Sequence, residues 1–384
     1  MRKIPYFKPD IEEEEINEVV DTLKSGWITT GPKTKKFEEE FSKYTNSKYS
    51  IAVNSCTAAL HIALDSIGIK KGDEIITSPF TFAATGEVIC YFDAKPVFVD
   101  IKEDTYNIDP KKIEAKITSK TRAIIPVHYG GQPCDMDEIM AIAKKHNLKV
   151  IEDAAHAIGA EYKGKKIGNV GDITAFSFYA TKNMTTGEGG MVTTNDKEYA
   201  KKMNILRLHG ISKDAWKRYS DEGSWYYEIL DKGYKYNMSD IQAALGLSQL
   251  KKLGDLNKKR GKLAAIYNES FSKIPEIKLR KIKDEVGNIY HLYTIWLNTS
   301  NLKINRNEFI EELKRRSIST SVHFIPLHIH PYYKKTFNYC VGDFPIAEKI
   351  YENIISLPLY PSMTKADIEY VIDAVGEIIS IDRK

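Results

Sequence analysis

Apolar residues near the start of the chain recur at the three- and four-residue spacing of an amphipathic helix. The positions are Ile16, Val19, Val20 and Leu23. We expect Asp10 to cap this helix and Gly26 to end it, because a side-chain oxygen satisfies free N–H groups and glycine adopts the left-handed conformation common at helix ends. A second helix is predicted from the face formed by Phe37, Phe41 and Tyr44.

Short apolar runs then alternate with helical patterns. The predicted strands are Ile51–Val53, Glu74–Thr77, Val97–Asp100, Ala123–Val127, Val150–Asp153, Ala175–Phe178 and Met191–Thr194. One of the intervening helices has a face formed by Met136, Ile139, Met140 and Ala143. This alternation predicts an α/β fold with a mostly parallel sheet and helices on both faces, since strands buried on both sides are continuously apolar.

A long helical pattern joins this region to a smaller unit. Its apolar face contains Ile241, Ala244, Leu245 and Ser248. Beyond it we expect a strand at Tyr290–Leu297, a helix at Asn307–Arg316 and a last helix after Thr364. We therefore predict a large α/β domain at residues 1–253, which includes the N-terminal segment, and a small α+β domain at residues 254–384. No Pro/Gly linker separates them, so one continuous helix is expected to cross the boundary.

Composition excludes some classes of function. The chain has 384 residues, 42% apolar and 28% charged, with a net charge of +4 and no long block of one sign, so a nucleic-acid partner is not expected. The four cysteines show no C-x-x-C spacing, which argues against zinc and disulfides. Neither a signal peptide nor an apolar run of about 20 residues is present, so we expect a cytoplasmic protein without a membrane partner.

The segment Ala175–Asn195 carries the strongest chemical signal, A-F-S-F-Y-A-T-K-N-M-T-T-G-E-G-G-M-V-T-T-N. Lys182 follows a predicted strand and precedes Gly187–Gly190, whose glycines permit a tight backbone path beside a bulky group. A lysine that forms a Schiff base needs such a rigid, water-poor mount near a phosphate. Taken alone, Lys182 would more often be a surface lysine before a turn, and its neighbours favour the catalytic interpretation.

The run Val150–His156 places an acid at the end of an apolar strand. Asp153 lies at the carboxyl end, where α/β sheets bind ligands. A carboxylate there can pair with a protonated pyridine nitrogen and keep the ring an electron sink. It can equally cap the next helix. His156, three residues on, is either a second site residue or a histidine satisfied in the core.

Two further segments are compatible with a site. Val53–His61 turns from strand into helix through small polar residues, and free N–H groups at such a helix start bind phosphate. The alternative is an N-capped core helix. Ser78–Thr85 places Phe82 in a loop where an aromatic ring can stack on a flat ligand, although a core aromatic is the commoner case.

Together these segments resemble the DegT/DnrJ/EryC1/StrS family of pyridoxal-phosphate-dependent nucleotide-sugar aminotransferases. The resemblance spans nearly the whole chain and includes four further motifs. They are Ser25–Pro32, Gly131–Met136, Tyr234–Ala244 and His323–His328. The resemblance implies pyridoxal 5′-phosphate as cofactor, the aspartate-aminotransferase-like fold (fold type I), and a homodimer with two shared active sites.

The resemblance also implies a role for each matching residue. Lys182 holds the cofactor as a Schiff base and moves protons, Asp153 pairs with the pyridine nitrogen, and His156 lies near the ring oxygen. Phe82 stacks on the ring. The residues expected to bind the phosphate are Cys56, Thr57, Ser177 and, across the dimer, Asn237.

Three residues depart from the family pattern. Cys56 stands where glycine or alanine is usual, His156 where glutamine is frequent, and Tyr179 where histidine is frequent. Gly26–Pro32 and Gly233–Asn237 are most similar to enzymes that aminate C4, especially the UDP-4-amino-4-deoxy-L-arabinose branch, and other nucleotide-linked 4-keto-6-deoxy sugars stay open. Candidate sugar or diphosphate contacts, equally compatible with surface-loop histidines, are His323, His328 and His330.

We therefore predict an aminotransferase that converts a nucleotide-linked 4-keto sugar to the 4-amino sugar with L-glutamate as donor, in amino-sugar or polysaccharide biosynthesis. One alternative is a sugar dehydratase of the same fold, which has histidine in place of the Schiff-base lysine, so Lys182 argues against it. The other is a non-catalytic regulatory or sensor protein. The complete set of cofactor residues and the lack of an appended DNA-binding region argue against that second alternative.

Overall fold

The computed structural model describes residues 2–212 and 226–384. Its strands, in chain order, are β1 (Tyr49–Val53), β2 (Glu74–Thr77), β3 (Lys95–Phe98), β4 (Thr121–Ile125), β5 (Lys149–Asp153), β6 (Glu161–Tyr162), β7 (Lys165–Lys166), β8 (Ile173–Ser177), β9 (Gly190–Thr194), β10 (Ile277–Leu279), β11 (Val286–Gly287), β12 (Tyr293–Leu297) and β13 (Ile354–Leu357). A seven-stranded sheet has the order β1-β9-β8-β5-β4-β2-β3. It consists of the seven strands predicted for the first domain, with ends shifted by at most two residues.

Twelve α-helices fall within the described ranges. They are α1 (Glu13–Ser25), α2 (Pro32–Thr45), α3 (Cys56–Ser66), α4 (Ala83–Cys90), α5 (Pro110–Ile113), α6 (Met136–His146), α7 (Lys197–Leu206), α8 (Asp240–Phe271), α9 (Arg306–Arg315), α10 (Pro331–Phe337), α11 (Pro345–Asn353) and α12 (Lys365–Asp382). Six of them, α1, α2, α6, α8, α9 and α12, were predicted from the apolar pattern. Among the described residues, no helix combines the length and the apolar character needed to span a membrane.

The pairing of the main sheet brings several strand ends together. The strands β8, β5, β4, β2 and β3 are parallel, whereas β9 runs antiparallel between β8 and β1. The segment 178–189, a loop without a helix, joins β8 to β9, and a parallel pair would need a longer crossover. Val53 lies opposite Gly190, and Gly190 lies opposite Ser177. Asp153 lies opposite Ala175. The ends of β1, β5 and β8 therefore meet at one edge of the sheet.

Both faces of this sheet are buried, as the continuously apolar strands predicted. Neighbouring residues on one strand enter different cores: Val150 packs with α6 on one face and Ile151 packs with α3 on the other. Ile124 and Ile125 divide in the same way, and all four side chains are completely buried. Burying such a side chain stabilises the fold by about 1.5–3 kcal/mol.

The long helix α8 crosses the predicted domain boundary without a break, as expected. Leu250 and Leu253 pack in the core under the main sheet, whereas Leu263 and Tyr267 pack in a second core around the sheet β10-β12-β13. The division between residues 253 and 254 falls inside this helix and stays a prediction.

The first described residues lie against the C-terminal unit. The Ile4 N–H donates to the Ser317 carbonyl, and the Ile4 carbonyl accepts from the Ser319 N–H, both at 2.9 Å. The Ile4 side chain is buried in the second core. The sequence groups the N-terminal segment with the first domain, and in the structure the start of this segment packs on the C-terminal unit.

The start of α1 differs from the prediction. Glu12 is the N-cap residue, and its N–H donates to the Glu15 carboxylate at 2.9 Å. The expected cap by Asp10 is therefore wrong, and Asp10 forms an ion pair with Lys252 at 3.1 Å instead. Gly26 ends the helix with a φ of 75°, as predicted.

The polar face of α1 contacts α8, and its apolar face is open. Glu15 is buried, and the cost of burying its carboxylate is offset by a hydrogen bond from Gln249 at 2.9 Å and an ion pair with Lys252 at 3.0 Å. The exposed apolar side chains, at 47%, 39% and 52% of their full surface, are Ile16, Val20 and Leu23. The sequence pattern indicated an apolar face, and a single chain leaves it uncovered.

Candidate active site

The end of β1 turns directly into α3 and forms a site for an anion. Ser55 caps the helix by accepting the N–H of Ala58 at 3.1 Å, and the N–H groups of Cys56 and Thr57 have no partner within the helix. Gly190 lies against this turn, since an added Cβ would meet Ser55 backbone atoms at 2.6 Å. Free N–H groups and the helix dipole suit this turn to a phosphate.

Asp153 ends β5 and lines a cavity of about 400 Å³ that also reaches the α3 turn. Both of its oxygens are held: the Thr85 hydroxyl donates to one at 2.7 Å and the Ala155 N–H to the other at 3.1 Å. No helix begins between β5 and β6, which excludes the alternative of a helix cap. The side chain is 5% exposed and forms no ion pair within the described residues, so its charge is available to a cationic ligand atom.

His156 lines the same cavity in a defined tautomer. The Gly130 N–H lies 3.3 Å from Nδ1. An N–H group can only donate, so Nδ1 accepts and the proton lies on Nε2. Burial lowers the pKa of His156 well below 6.5, with the nearby Lys182 acting in the same direction. The ring is therefore neutral, and it stacks on Phe324 at a centroid distance of 5.8 Å.

A buried network anchors the turn that contains Gly130. His128 and Glu152 are completely buried, with Nε2 and Oε2 2.9 Å apart. The Cys134 N–H donates to His128 Nδ1 at 3.1 Å, so Nε2 carries the proton and donates to the carboxylate. Glu152 also accepts from the Gly171 N–H and the Thr174 hydroxyl. Both His128 and Glu152 are fully hydrogen-bonded, so this buried network holds the turn at Gly130 rigidly in place.

Lys182 lies in a loop that is closed at both ends. The Phe178 N–H donates to the Gly189 carbonyl at 2.9 Å, and the Thr186 N–H donates to the Phe178 carbonyl at 3.0 Å. The Lys182 N–H donates to the Tyr179 carbonyl at 2.9 Å. A Cβ on Gly189 would lie 2.1 Å from the Thr186 hydroxyl, so the loop needs glycine there.

The Lys182 side chain lines the cavity together with Asp153. Burial lowers the pKa of Lys182 from 10.5 to about 8, and the negative charge of Asp153 opposes this shift. A substantial fraction of the amine is therefore neutral near pH 8, and a neutral amine is both a nucleophile and a base. Ser177, at the end of β8, lines the same cavity.

The model of the DegT/DnrJ/EryC1/StrS aminotransferase family matches residues 9–376. The chain belongs to this family. It is 53% identical over 377 residues to the spore coat polysaccharide biosynthesis protein SpsC of Bacillus subtilis. The match covers 98% of this chain and 97% of SpsC.

Solved structures of the family superpose on almost the whole chain. Spr1654 of Streptococcus pneumoniae in its PMP form has a TM-score of 0.93 at 37% identity, covering 99% of this chain and 100% of that one. Its PLP form has a TM-score of 0.92 at 36% identity. Helicobacter pylori PseC, an aminotransferase involved in the biosynthesis of pseudoaminic acid, has a TM-score of 0.92 at 31% identity, covering 99% and 100%. The protein is a PLP-dependent sugar aminotransferase with fold type I.

The residues of the cavity fit this cofactor. Pyridoxal phosphate presents a carbonyl carbon, a pyridine nitrogen and a phosphate. The cavity is lined by the Lys182 amine, the Asp153 carboxylate and the α3 turn that begins at Cys56. These three have the chemistry that would hold the carbonyl carbon, the pyridine nitrogen and the phosphate.

Aromatic residues form one side of the cavity. Phe82 precedes α4 and lines the cavity at 64% exposure, 6.2 Å from the Phe324 ring, whereas Phe80 is the aromatic buried in the core. The alternative of a core aromatic is therefore wrong for Phe82, and its stacking on the cofactor stays a prediction. Tyr179, one of the departures from the family pattern, lines the cavity at 47% exposure.

The three candidate substrate histidines lie in different places. His323 lines the cavity, and its Nδ1 lies 2.8 Å from the Ser356 hydroxyl. His328 is completely buried, 2.8 Å from the Glu348 carboxylate, and His330 precedes α10 outside the cavity. For these last two residues we correct the prediction, because neither lines the cavity of this chain.

Asn237 also lies outside the cavity of its own chain. Its Nδ2 donates to the Thr30 hydroxyl at 2.6 Å, at the edge of a separate pocket. The alternative that Asn237 merely caps α8 is wrong, because Ser239 caps that helix by accepting the Gln242 N–H at 3.3 Å.

Several residues that line the cavity were not predicted. Thr85 lies inside a segment that the sequence had singled out, so its position after the β2 strand was a usable signal. Others include Tyr6, His291 and Phe324. Phe324 lies inside the motif His323–His328, whereas no local pattern marks Tyr6 or His291 as a neighbour of Lys182.

Proposed function

We propose that this protein converts a nucleotide-linked 4-keto sugar to the 4-amino sugar with L-glutamate as amino donor. The observation that carries the proposal is the amine of Lys182, which has a pKa of about 8 in a cavity shared with Asp153 and an anion-binding turn. Because the chain belongs to an aminotransferase family, the reaction that the Lys182 amine supports is the transfer of an amino group.

Lys182 is placed to hold the cofactor and to move a proton. Bound pyridoxal phosphate supplies an electron sink that weakens the C–H bond at the donor α-carbon. With the cofactor bound, Lys182 Nζ would accept that proton and return it to the cofactor's former carbonyl carbon, because an amine with a pKa near the working pH both takes and gives a proton readily. The hydrogen bonds that close the loop around Lys182 would hold the side chain in place for both transfers.

The remaining residues orient the reacting groups. Asp153, fixed by Thr85 and Ala155, holds a proton on the pyridine nitrogen. The Nε2–H of His156, which has no hydrogen-bond partner among the described residues, would donate to the ring oxygen, and the turn at Cys56 would receive the phosphate. Holding the phosphate, ring and amine at three points keeps the ring in one plane during both half-reactions.

The substrate class follows from size and from relatives. A cavity of about 400 Å³ lies within the range of small-molecule sites and admits a sugar or an amino acid in turn. SpsC belongs to spore coat polysaccharide biosynthesis and PseC to pseudoaminic acid biosynthesis. The name of SpsC supports a product used in a polysaccharide, and that of PseC supports transfer of an amino group. The choice of C4 on a nucleotide-linked sugar rests on the resemblance of Gly26–Pro32 and Gly233–Asn237 to enzymes that aminate this carbon.

A homodimer with shared sites is part of the proposal. Asn237 lies outside its own cavity, and the apolar face of α1 (Ile16, Val20 and Leu23) is uncovered in a single chain. A second copy would cover apolar surface of this kind and bring its own Asn237 to the phosphate. The cytoplasmic location expected from the sequence stays a prediction.

The test is a product assay with purified protein. A set of UDP-, dTDP- and GDP-linked 4-keto sugars is supplied with glutamate, and the products are identified by mass and NMR. We expect a 4-amino sugar together with 2-oxoglutarate. A dehydrated sugar without nitrogen would favour the dehydratase alternative. Glutamate that leaves the cofactor spectrum unchanged would favour the regulatory one.

A further inference from the structure

His291 belongs to the cavity although no motif discussed above includes it. It lies just before β12, lines the cavity with Lys182, and is 8% exposed. Its ring centroid lies 4.3 Å from that of His156, with the planes 34° apart. Two imidazoles thus stand side by side on the cavity wall.

The proton position on His291 follows from a chain of amides that ends at a backbone carbonyl. Asn257 Nδ2 donates to the Ile158 carbonyl at 3.2 Å, so its Oδ1 accepts from Asn183 Nδ2 at 2.7 Å. Asn183 Oδ1 is then the acceptor for His291 Nδ1 at 2.9 Å. Because a carbonyl can only accept, the direction of the chain is fixed and His291 carries its proton on Nδ1.

His156 has the opposite arrangement. The Gly130 N–H fixes its Nδ1 as an acceptor, so its proton lies on Nε2. Burial lowers the pKa of both His156 and His291 well below 6.5, which keeps both rings neutral. The Nε2 atoms have no hydrogen-bond partner within residues 2–212 and 226–384. The pair therefore offers one donor and one acceptor to a ligand.

We propose that His291 Nε2 binds the substrate by accepting a hydrogen bond from an N–H or O–H group held beside Lys182, while His156 donates to the ring oxygen of the cofactor. A hydroxyl of the keto sugar and the amine of the amino donor share this chemistry. A neutral acceptor suits the place, since an imidazolium would repel the Lys182 ammonium and a second carboxylate would repel Asp153. The assignment rests on the proposed aminotransfer.

Nitrogen NMR tests the tautomers without any turnover. The holoenzyme is labelled with ¹⁵N-histidine, and the signals are assigned by their loss in His291→Asn and His156→Asn. Between pH 6 and 8 we expect the Nδ1 of His291 and the Nε2 of His156 to be protonated. A protonated His291 Nε2 in the wild type, or an imidazolium at pH 7.5, would overturn the proposal, whether or not the sugar substrate has been identified.

Two substitutions separate the two ring nitrogens. His291→Asn retains a donor near the position of Nδ1 and loses the cavity acceptor, whereas His291→Gln places an amide near Nε2. We expect His291→Asn to raise the KM of one half-reaction by about tenfold, and His291→Gln to recover part of it. A change confined to the glutamate half-reaction assigns the amine, and one confined to the keto-sugar half-reaction assigns a hydroxyl.

A matched control guards against a general loss of structure. His146→Asn removes a histidine at the end of α6 that contacts Glu114 away from the cavity, and it should leave both half-reactions unchanged. Cofactor content and the thermal midpoint are compared in every variant. If a stable, cofactor-loaded His291→Asn matches the wild type in both half-reactions, the proposal is wrong. If it does not fold, His291→Gln is used to assign the His291 signals, and the protonation state in the wild-type spectra decides.

Discussion

The two walls of the cavity are built by different means. One wall is the edge of the main sheet, where Asp153 and Ser177 end adjacent strands and backbone pairing fixes their register. The other wall comes from the C-terminal unit, where side-chain hydrogen bonds hold the pieces. His323 meets the Ser356 hydroxyl at 2.8 Å, and the Tyr129 hydroxyl donates to the His323 carbonyl at 2.6 Å.

The two walls are suited to different tasks, the sheet wall to the reaction itself and the C-terminal wall to recognition of the substrate. A residue at a strand end cannot move without disturbing the pairing of its neighbours, so the sheet wall suits groups that must act on the same cofactor atoms in every cycle. Contacts made by side chains can be exchanged singly without altering a strand. We therefore expect changes in the sheet wall to remove the reaction and changes in the opposite wall to alter the choice of substrate.

The largest effect is expected for Lys182→Ala. It should lower turnover by more than about 10³-fold, because both the covalent anchor of the cofactor and the proton carrier are lost. Borohydride reduction of the wild type should fix the cofactor to the peptide that contains Lys182. Lys70→Ala, at an exposed position, is the control and should retain full activity. Label found on another lysine would contradict the assignment.

Asp153→Asn should slow the glutamate half-reaction by about 10²–10³-fold while the cofactor stays bound. The amide no longer holds a proton on the pyridine nitrogen, but the α3 turn and Lys182 remain. Stopped-flow absorbance gives the rate, and dialysis gives cofactor retention. Thr85→Val, which removes one hydrogen bond to the same carboxylate, should cost about tenfold. An Asp153→Asn variant as fast as the wild type would refute the electron-sink role.

The residues of the sheet wall lie close in sequence to strand ends or to a helix start. Asp153 ends β5, Cys56 begins α3, and Lys182 lies in the loop that follows β8. The apolar runs before them indicate the edge of the sheet where ligands bind. The two-sided burial of the strands was visible for the same reason. Local spacing therefore contained most of the main sheet, whereas the cofactor residues at its edge were assigned through the family resemblance and stay predictions.

The opposite wall could not be predicted in this way. His291 reaches the cavity because α8 returns the C-terminal unit to the sheet, and its partner Asn183 is far away in sequence. His328 looked like a site residue only by its neighbourhood, and its bond to Glu348 could not be read from spacing. The pattern of α1 showed an apolar face, but it could not tell whether that face packs within the chain or against another one.

Asn237→Asp tests whether the sheet wall is completed by a second chain. The homodimeric variant should lose about 10–100-fold in turnover, because a carboxylate near the phosphate repels it and lacks the amide donor. Refolding Asn237→Asp together with Lys182→Ala should restore activity, since a mixed dimer with exchange across the interface has one site with every residue wild type. Mixed dimers that form and stay inactive would show that Asn237 acts within its own chain.

The smallest effect is the pH dependence of cofactor uptake by the apoenzyme. Only the neutral amine reacts with a carbonyl, and the pKa of Lys182 is lowered to about 8, so the uptake rate should rise about tenfold between pH 7 and pH 9. An ordinary lysine would still be rising above pH 10. The cavity histidines do not interfere, because burial lowers the pKa of His323 to about 4 and those of His156 and His291 well below 6.5.

The variant Asp153→Asn sharpens this measurement by a predicted sign. The Asp153 charge favours the ammonium form of Lys182, so removing the charge should lower the lysine pKa further and move the midpoint of uptake below pH 8. Stopped-flow absorbance at a fixed cofactor concentration gives the midpoint in both proteins. A midpoint that moves upward would mean that Asp153 does not act on Lys182 through charge. The sheet wall would then be two independent anchors rather than one electrostatically coupled unit.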